Sequence, residues 1–169
     1  MFDDLLNANR HYAENFDLAG LPGRAAAGFA LVTCIDSRIE PLTTLGLRPG
    51  DAKIIRNAGG RVTDDVLRSL VLATGLLGIT RIAVMHHTSC ALEGHSDEQL
   101  RATLPPAQAE AAMDWPLRGM PEPDAALSHD VGLIASCRAI PAGLAIAGWR
   151  YDVETGRIVE LIATSTTGW

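Results

Sequence analysis

Phe29-Ala30-Leu31-Val32-Thr33-Cys34-Ile35-Asp36-Ser37-Arg38 is the stretch from which the fold is read. Its apolar run has no polar alternation, which fits a strand buried on both faces of a parallel sheet. The run ends at a cysteine, followed at alternate positions by an aspartate and an arginine. If the strand end stays extended, Cys34, Asp36 and Arg38 point the same way.

Downstream, Pro41 sits in the first turn of a short helix that ends near Gly46. Arg48-Pro49-Gly50-Asp51 is a turn, and Ala52 to Arg56 is a second strand. Asn57-Ala58-Gly59-Gly60 follows, a loop of small residues that lets backbone approach a neighbour closely. Thr63 is a good N-cap for a helix with Val66, Leu67, Leu70, Val71, Thr74 and Leu77 on its inner face, ended by Gly78. Arg81 to Met85 is a third strand that runs into His86-His87. Strand and helix alternating in this way predict a parallel α/β sheet with right-handed crossovers. Cys34, Asn57 and His87 then share the carboxyl edge, where such sheets bind ligands.

Beyond Cys90, Ser96-Asp97-Glu98-Gln99 reads as a capping box opening a helix that stops before Pro105-Pro106. A second helical stretch reaches about Asp114, and residues 115–123 are irregular. Asp124 is expected to cap a helix carrying Leu127, Val131, Leu133 and Ile134. Leu144 to Val153 and Arg157 to Ile162 read as two strands, joined through Glu154-Thr155-Gly156 into a hairpin. Upstream, residues 17–28 form a glycine- and proline-bearing connector. Residues 1–16 form an amphipathic helix with Leu5, Leu6, Tyr12, Ala13 and Phe16 apolar. That helix either packs on its own domain or lies as an arm on a partner. The expectation is one α/β domain over residues 1–169: a parallel central sheet flanked by helices, with a C-terminal hairpin and an N-terminal helical arm.

Composition narrows the function classes. The net charge is −6 and Lys53 is the single lysine, which argues against nucleic-acid binding. No apolar run approaches the roughly 18 residues of a membrane span. The acidic start Met1-Phe2-Asp3-Asp4 does not resemble a signal peptide. Three cysteines without an export signal point to reduced thiols in the cytoplasm, serving metal binding or catalysis rather than a disulfide.

Cys34, His87 and Cys90 supply two thiolates and one imidazole from two strand ends, a ligand set that suits one zinc ion per chain. Three protein ligands leave a fourth position for water, the pattern of a catalytic zinc. Zinc lowers the pKa of that water and supplies hydroxide near neutral pH. Asp36 can accept a hydrogen bond from the hydroxide, and Arg38 can hold Asp36 in a bidentate pair. Cys137 has no motif and is expected to be buried on a helix; His11, His95 and His129 lack ligand spacing and are expected at the surface. His86 is assigned a structural role, and Arg56 and Asn57 brace their loop.

Cys34-x-Asp36-x-Arg38, then Arg56-Asn57-Ala58-Gly59, then His87-Thr88-x-Cys90 resembles the β-class carbonic anhydrases, in particular the short bacterial type. The resemblance extends from the N-terminal helix to the hairpin around Tyr151 to Arg157 and is weakest from about 96 to 140. It implies a zinc-dependent lyase that reversibly hydrates CO₂ to bicarbonate and works as a homodimer or higher homo-oligomer. Metal ligands Cys34, His87 and Cys90 and catalytic Asp36 and Arg38 follow by position. Ala91 departs from the pattern, which usually has glycine there. Relatives that hydrolyse carbonyl sulfide or carbon disulfide use the same ligands, so that activity is the alternative. A non-catalytic module binding zinc and bicarbonate is a second alternative, against which the retention of both Asp36 and Arg38 argues. A thiol redox protein is a third, weakened by the absence of a Cys-x-x-Cys motif.

Overall fold

Phe29–Cys34 forms β1 in the computed structural model, which describes residues 1–167, and every residue of this strand is buried. A strand apolar on both sides needs cover on both, so β1 takes an interior place in the sheet. Its neighbours are β2, Ala52–Asn57, and β3, Arg81–His87. β4, Ala145–Tyr151, and β5, Ile158–Ser165, complete the order β2-β1-β3-β4-β5. The first four strands pair in parallel, while β5 runs antiparallel to β4. The C-terminal hairpin therefore joins the central sheet and makes it mixed. Of the domain expected over 1–169, positions 168 and 169 lie outside the described residues.

From β1 the chain steps to one side, to β2, and then crosses back to β3 on the other. The strand order reverses between β1 and β3, so the crevice at their carboxyl ends is the switch point of the sheet. β3 runs two residues further than its apolar pattern suggests, because His86 and His87 pair with Arg150 and Tyr151 of β4.

Among the described residues, six α-helices accompany the sheet: α1, Asp3–Glu14; α2, Pro41–Thr44; α3, Asp64–Leu76; α4, Asp97–Thr103; α5, Pro106–Ala111; and α6, Pro123–Ala135. One core layer joins Ala30, Val32, Ile82, Val84 and Ile146 of the sheet to Leu70 of α3 and Leu127 and Val131 of α6. The second layer, on Phe29, Leu31, Ala83 and Met85, includes Ile39 and Met120. Thr63 caps α3 by accepting from the Val66 amide at 3.3 Å. Both hydrogen bonds of the expected capping box open α4.

Two helix expectations need correction, and one open alternative closes. α6 starts at Pro123 with Glu122 at the N-cap and no side-chain cap, so Asp124 lies inside the first turn. Proline at the first helical position has its φ preset and no amide to satisfy, so it can replace a capping side chain. α5 ends at Ala111 rather than near Asp114; Arg101 Nη2 donates to the Trp115 carbonyl at 2.8 Å, and that segment turns back toward α4. Finally, α1 buries none of its residues, and Phe2, Leu5, Leu6, Tyr12 and Phe16 are all exposed. Within one chain the helix does not pack on its own domain.

Candidate metal centre

Cys34 closes β1, His87 closes β3, and Cys90 follows one short turn later. Their ligating atoms all lie within 4.8 Å of one another, and all three residues are buried. Ser89 makes the turn possible by taking φ 56°, a left-handed conformation that costs a non-glycine residue about 1–2 kcal/mol. Thr88 pins the same turn to β4: its amide donates to the Tyr151 carbonyl at 2.9 Å, and its hydroxyl accepts from the Val153 amide at 3.2 Å. Ala91 is exposed and is not among the positive-φ residues, so the methyl group in place of glycine leaves the loop unstrained.

The His87 ring is oriented by its own backbone neighbour. Nδ1 lies 2.9 Å from the Thr88 carbonyl, which can only accept, so Nδ1 carries the proton and Nε2 presents its lone pair. Nε2 is buried and has no hydrogen-bond partner. An orphaned buried acceptor between two buried thiols matches the demands of a soft divalent cation. The donor set therefore fits zinc.

The two thiols are shifted in opposite directions. A hydrogen bond from Cys90 lowers the Cys34 pKa to about 4, against the opposing effect of burial and with help from His87. The Cys34 thiolate, together with burial, pushes Cys90 upward. Burial alone would lower the His87 pKa, but the Cys34 thiolate and the Thr88 carbonyl outweigh it and raise it.

Asp36 stands beside this cluster, with Oδ2 3.9 Å from His87 Nε2. Arg38 grips both carboxylate oxygens, Nε to Oδ1 at 2.9 Å and Nη2 to Oδ2 at 2.7 Å. The extended strand end expected here is absent. The Arg38 amide donates to Asp36 Oδ1 at 2.9 Å and the Ile39 amide to the Asp36 carbonyl at 3.1 Å, so the chain turns immediately after the aspartate. Aspartate favours such a turn because its carboxylate competes for nearby amides. The Arg38 side chain and amide hold the Asp36 carboxyl well below the usual carboxylate range.

Arg56 and Asn57 brace the surroundings, as expected. Arg56 donates from Nε to the Cys34 carbonyl at 2.9 Å and from Nη2 to the Asp36 carbonyl at 2.7 Å. The Asn57 side chain bonds both the amide and the carbonyl of Arg61, at 2.8 and 2.7 Å. Gly60 is required between them. Its φ is +66°, and a Cβ there would stand 2.9 Å from the Thr33 carbonyl carbon and 3.0 Å from the Cys34 nitrogen.

His11, His95 and His129 are exposed, as expected. Cys137 is half-buried and lies just past the end of α6 rather than on it. Sequence reasoning missed Arg61 and Asp130, which form a buried ion pair at 2.6 Å. A signal existed: Asp130 falls among Leu127, Val131 and Ile134, on the face of α6 that is otherwise apolar.

Comparison with known proteins agrees with this architecture. A family model described as carbonic anhydrase matches residues 29–108. Beta-carbonic anhydrase 1 of Mycobacterium tuberculosis is 32% identical over 161 residues, covering 94% of this chain and 96% of its own. A carbon disulfide hydrolase of Acidianus sp. is 32% identical over 151 residues, covering 76% of this chain and 74% of its own. Among solved structures, the carbonic anhydrase of Streptococcus mutans superposes with a TM-score of 0.88 at 38% identity, covering 95% of this chain and 97% of that one. Sequence likeness across nearly the whole length, joined to the same α/β architecture, places the chain in the β-carbonic anhydrase family.

Proposed function

We propose that the chain hydrates CO₂ reversibly to bicarbonate, with one zinc ion held by Cys34, His87 and Cys90 and with Asp36 and Arg38 as the catalytic pair. The observation that carries this reading is the convergence of two buried thiols and an orphaned, tautomer-fixed His87 Nε2 within 4.8 Å, beside a carboxylate gripped by arginine. When bound, zinc supplies the Lewis acidity that makes a nucleophile from water near neutral pH. Cys34 and Cys90, as thiolates, balance its charge. Asp36 is an acceptor: its ionised carboxylate takes a hydrogen bond from the nucleophile and turns the reactive lone pair toward carbon. Arg38 keeps that carboxylate oriented and ionised, and restrains it from joining the ligands.

Hydrolysis of carbonyl sulfide or carbon disulfide is the second reading, supported by the likeness to the Acidianus carbon disulfide hydrolase. CO₂ is favoured because the match to the mycobacterial β-carbonic anhydrase extends over 94% of the chain rather than 76%. Metal analysis of the purified protein, followed by stopped-flow CO₂ hydration beside a sulfide-release assay, tests both. Zinc with fast hydration supports the first reading, and sulfide release without hydration replaces it.

A homo-oligomer accompanies this function. The apolar side of α1 has no partner within the chain, and the sheet offers an apolar cavity of about 350 Å³ lined by Phe29, Leu45, Leu47, Ala83 and Trp149 among others. A second copy answers both needs, its helix covering apolar surface that one chain leaves open. No described helix is long and apolar enough to cross a membrane. The cytoplasmic assignment rests on the thiol ligands, which need a reducing compartment.

A further inference from the structure

Asp130 lies on α6, away from the metal ligands, and is fully buried. Its carboxylate joins β3, which carries His87, to Arg61, which follows the turn packed on the end of β1. Oδ2 accepts from Arg61 Nε at 2.6 Å and faces His86 Nε2 at 3.2 Å, while Oδ1 accepts from Arg61 Nη2 at 3.3 Å. Burial would favour the neutral acid, but His86 and Arg61 outweigh it and lower the Asp130 pKa. An ionised carboxylate only accepts, so His86 Nε2 carries the proton on this side.

Each bond bears on a different ligand. His86 immediately precedes His87 in β3, and alternate residues of a strand face opposite sides. A hold on His86 from the α6 side therefore sets the position of His87 on the other. Arg61 ends the tight turn Ala58–Gly60, whose Gly60 rests directly on the Thr33–Cys34 peptide. Arg61 Nη1 also donates to the Arg118 and Gly119 carbonyls, at 2.7 and 3.1 Å, so the guanidinium is held on several sides.

Packing alone does not call for this arrangement. Leu127, Val131 and Ile134 show that apolar residues suit the same face of α6. A buried ion pair is seldom more stabilising than apolar residues of equal volume, whereas its directional bonds fix one geometry. We infer that Asp130 is a positioning residue for the metal centre, holding the His87 and Cys34 strand ends in register through His86 and Arg61. The inference rests on the ligand assignment proposed above.

The test uses the zinc-loaded protein and three variants. Asp130→Asn keeps the size of the side chain and removes its charge. Arg61→Lys keeps the charge and loses the forked contact. Leu127→Ala, on the same helix face but outside the network, is the control for lost stability. Transfer of Zn²⁺ to a chelator is followed at an equal distance below each melting temperature, and the visible spectrum is recorded for the Co²⁺-loaded forms. Asp130→Asn should release Zn²⁺ up to about 10-fold faster than the control, the lower end of the loss in metal affinity seen when a group bonded directly to a ligand is removed. It should also shift the Co²⁺ spectrum. Arg61→Lys should move both readouts in the same direction and decides the matter if Asp130→Asn does not fold. Release rates and spectra matching Leu127→Ala would overturn the inference. A wild-type protein without zinc overturns the ligand assignment, and this inference with it. A zinc-bearing wild type beside unaltered network variants overturns this inference alone.

Discussion

Arg38 Nη2 is shared between two acceptors, Asp36 Oδ2 at 2.7 Å and the Ser89 carbonyl at 3.0 Å. One guanidinium thus ties the turn after β1 to the turn after β3, across the switch point of the sheet. Arg38→Ala should leave the metal bound, because it removes no ligand, yet lower CO₂ hydration about 100-fold through loss of orientation. Stopped-flow kinetics on a variant of verified zinc content checks this. Hydration at the wild-type rate would remove the role assigned to the pair.

The same pair predicts a pH dependence. Arg38 depresses the Asp36 pKa in the folded protein below the unfolded value of about 3.9. A depressed carboxyl contributes stability that is fully present above the unfolded pKa and is lost as pH falls through the folded one. The melting temperature of wild type should therefore exceed that of Arg38→Ala at neutral pH, with the gap closing only below about pH 4. Thermal melts of both proteins across the acid range measure it. A gap that closes near pH 6 would assign the difference to another group.

Cys34→Ala, His87→Ala and Cys90→Ala should each lose zinc on purification and lose hydration with it, since two remaining donors hold the ion poorly. Metal analysis and kinetics report the two effects separately. Any of these variants retaining both would strike that residue from the ligand set.

Gly60→Ala should destabilise the fold by at least about 1–2 kcal/mol from the left-handed backbone alone. The added Cβ would also meet the Thr33–Cys34 peptide at about 3 Å, and that peptide cannot yield without moving Cys34. Denaturant titration gives the stability loss, and zinc content gives the displacement. Gly94→Ala, also at positive φ but with open space around it, should lose stability without losing zinc.

Deleting residues 1–16 should shift the protein toward monomer or make it insoluble, because Leu5, Leu6, Tyr12 and Phe16 then leave a partner's apolar surface uncovered. Sedimentation of the truncated chain measures the outcome. A soluble truncation with the full-length oligomeric state would show that α1 is not the main contact.

The strand ends are legible in the sequence because an unbroken apolar run admits few alternatives. Phe29 to Cys34 needs cover on both faces, and a strand-helix-strand rhythm then puts successive strand ends on one edge. Cys34, His87 and Cys90 could therefore be read as neighbours across a long stretch of chain. Helix starts were less legible. Ser96 is legible because its capping partner Gln99 sits a fixed number of residues away, whereas Asp124 misleads because Pro123 performs the same task by a different route.

Local pattern, then, determined most elements, the parallel run of the first three strands and the residue types delivered to the carboxyl edge, since hydrophobic period and side-chain chemistry belong to single segments. Contacts between segments distant in sequence belonged to the tertiary structure. It replaced an extended strand end with the turn that brings Arg38 onto both Asp36 oxygens, and it oriented His87 through the Thr88 carbonyl. It joined Asp130 to Arg61 and His86, and it left α1 without a partner inside its own chain. A buried charge is tolerated only where an opposite charge meets it. Which residues meet is decided by how helices and strands pack, and no single segment carries that information.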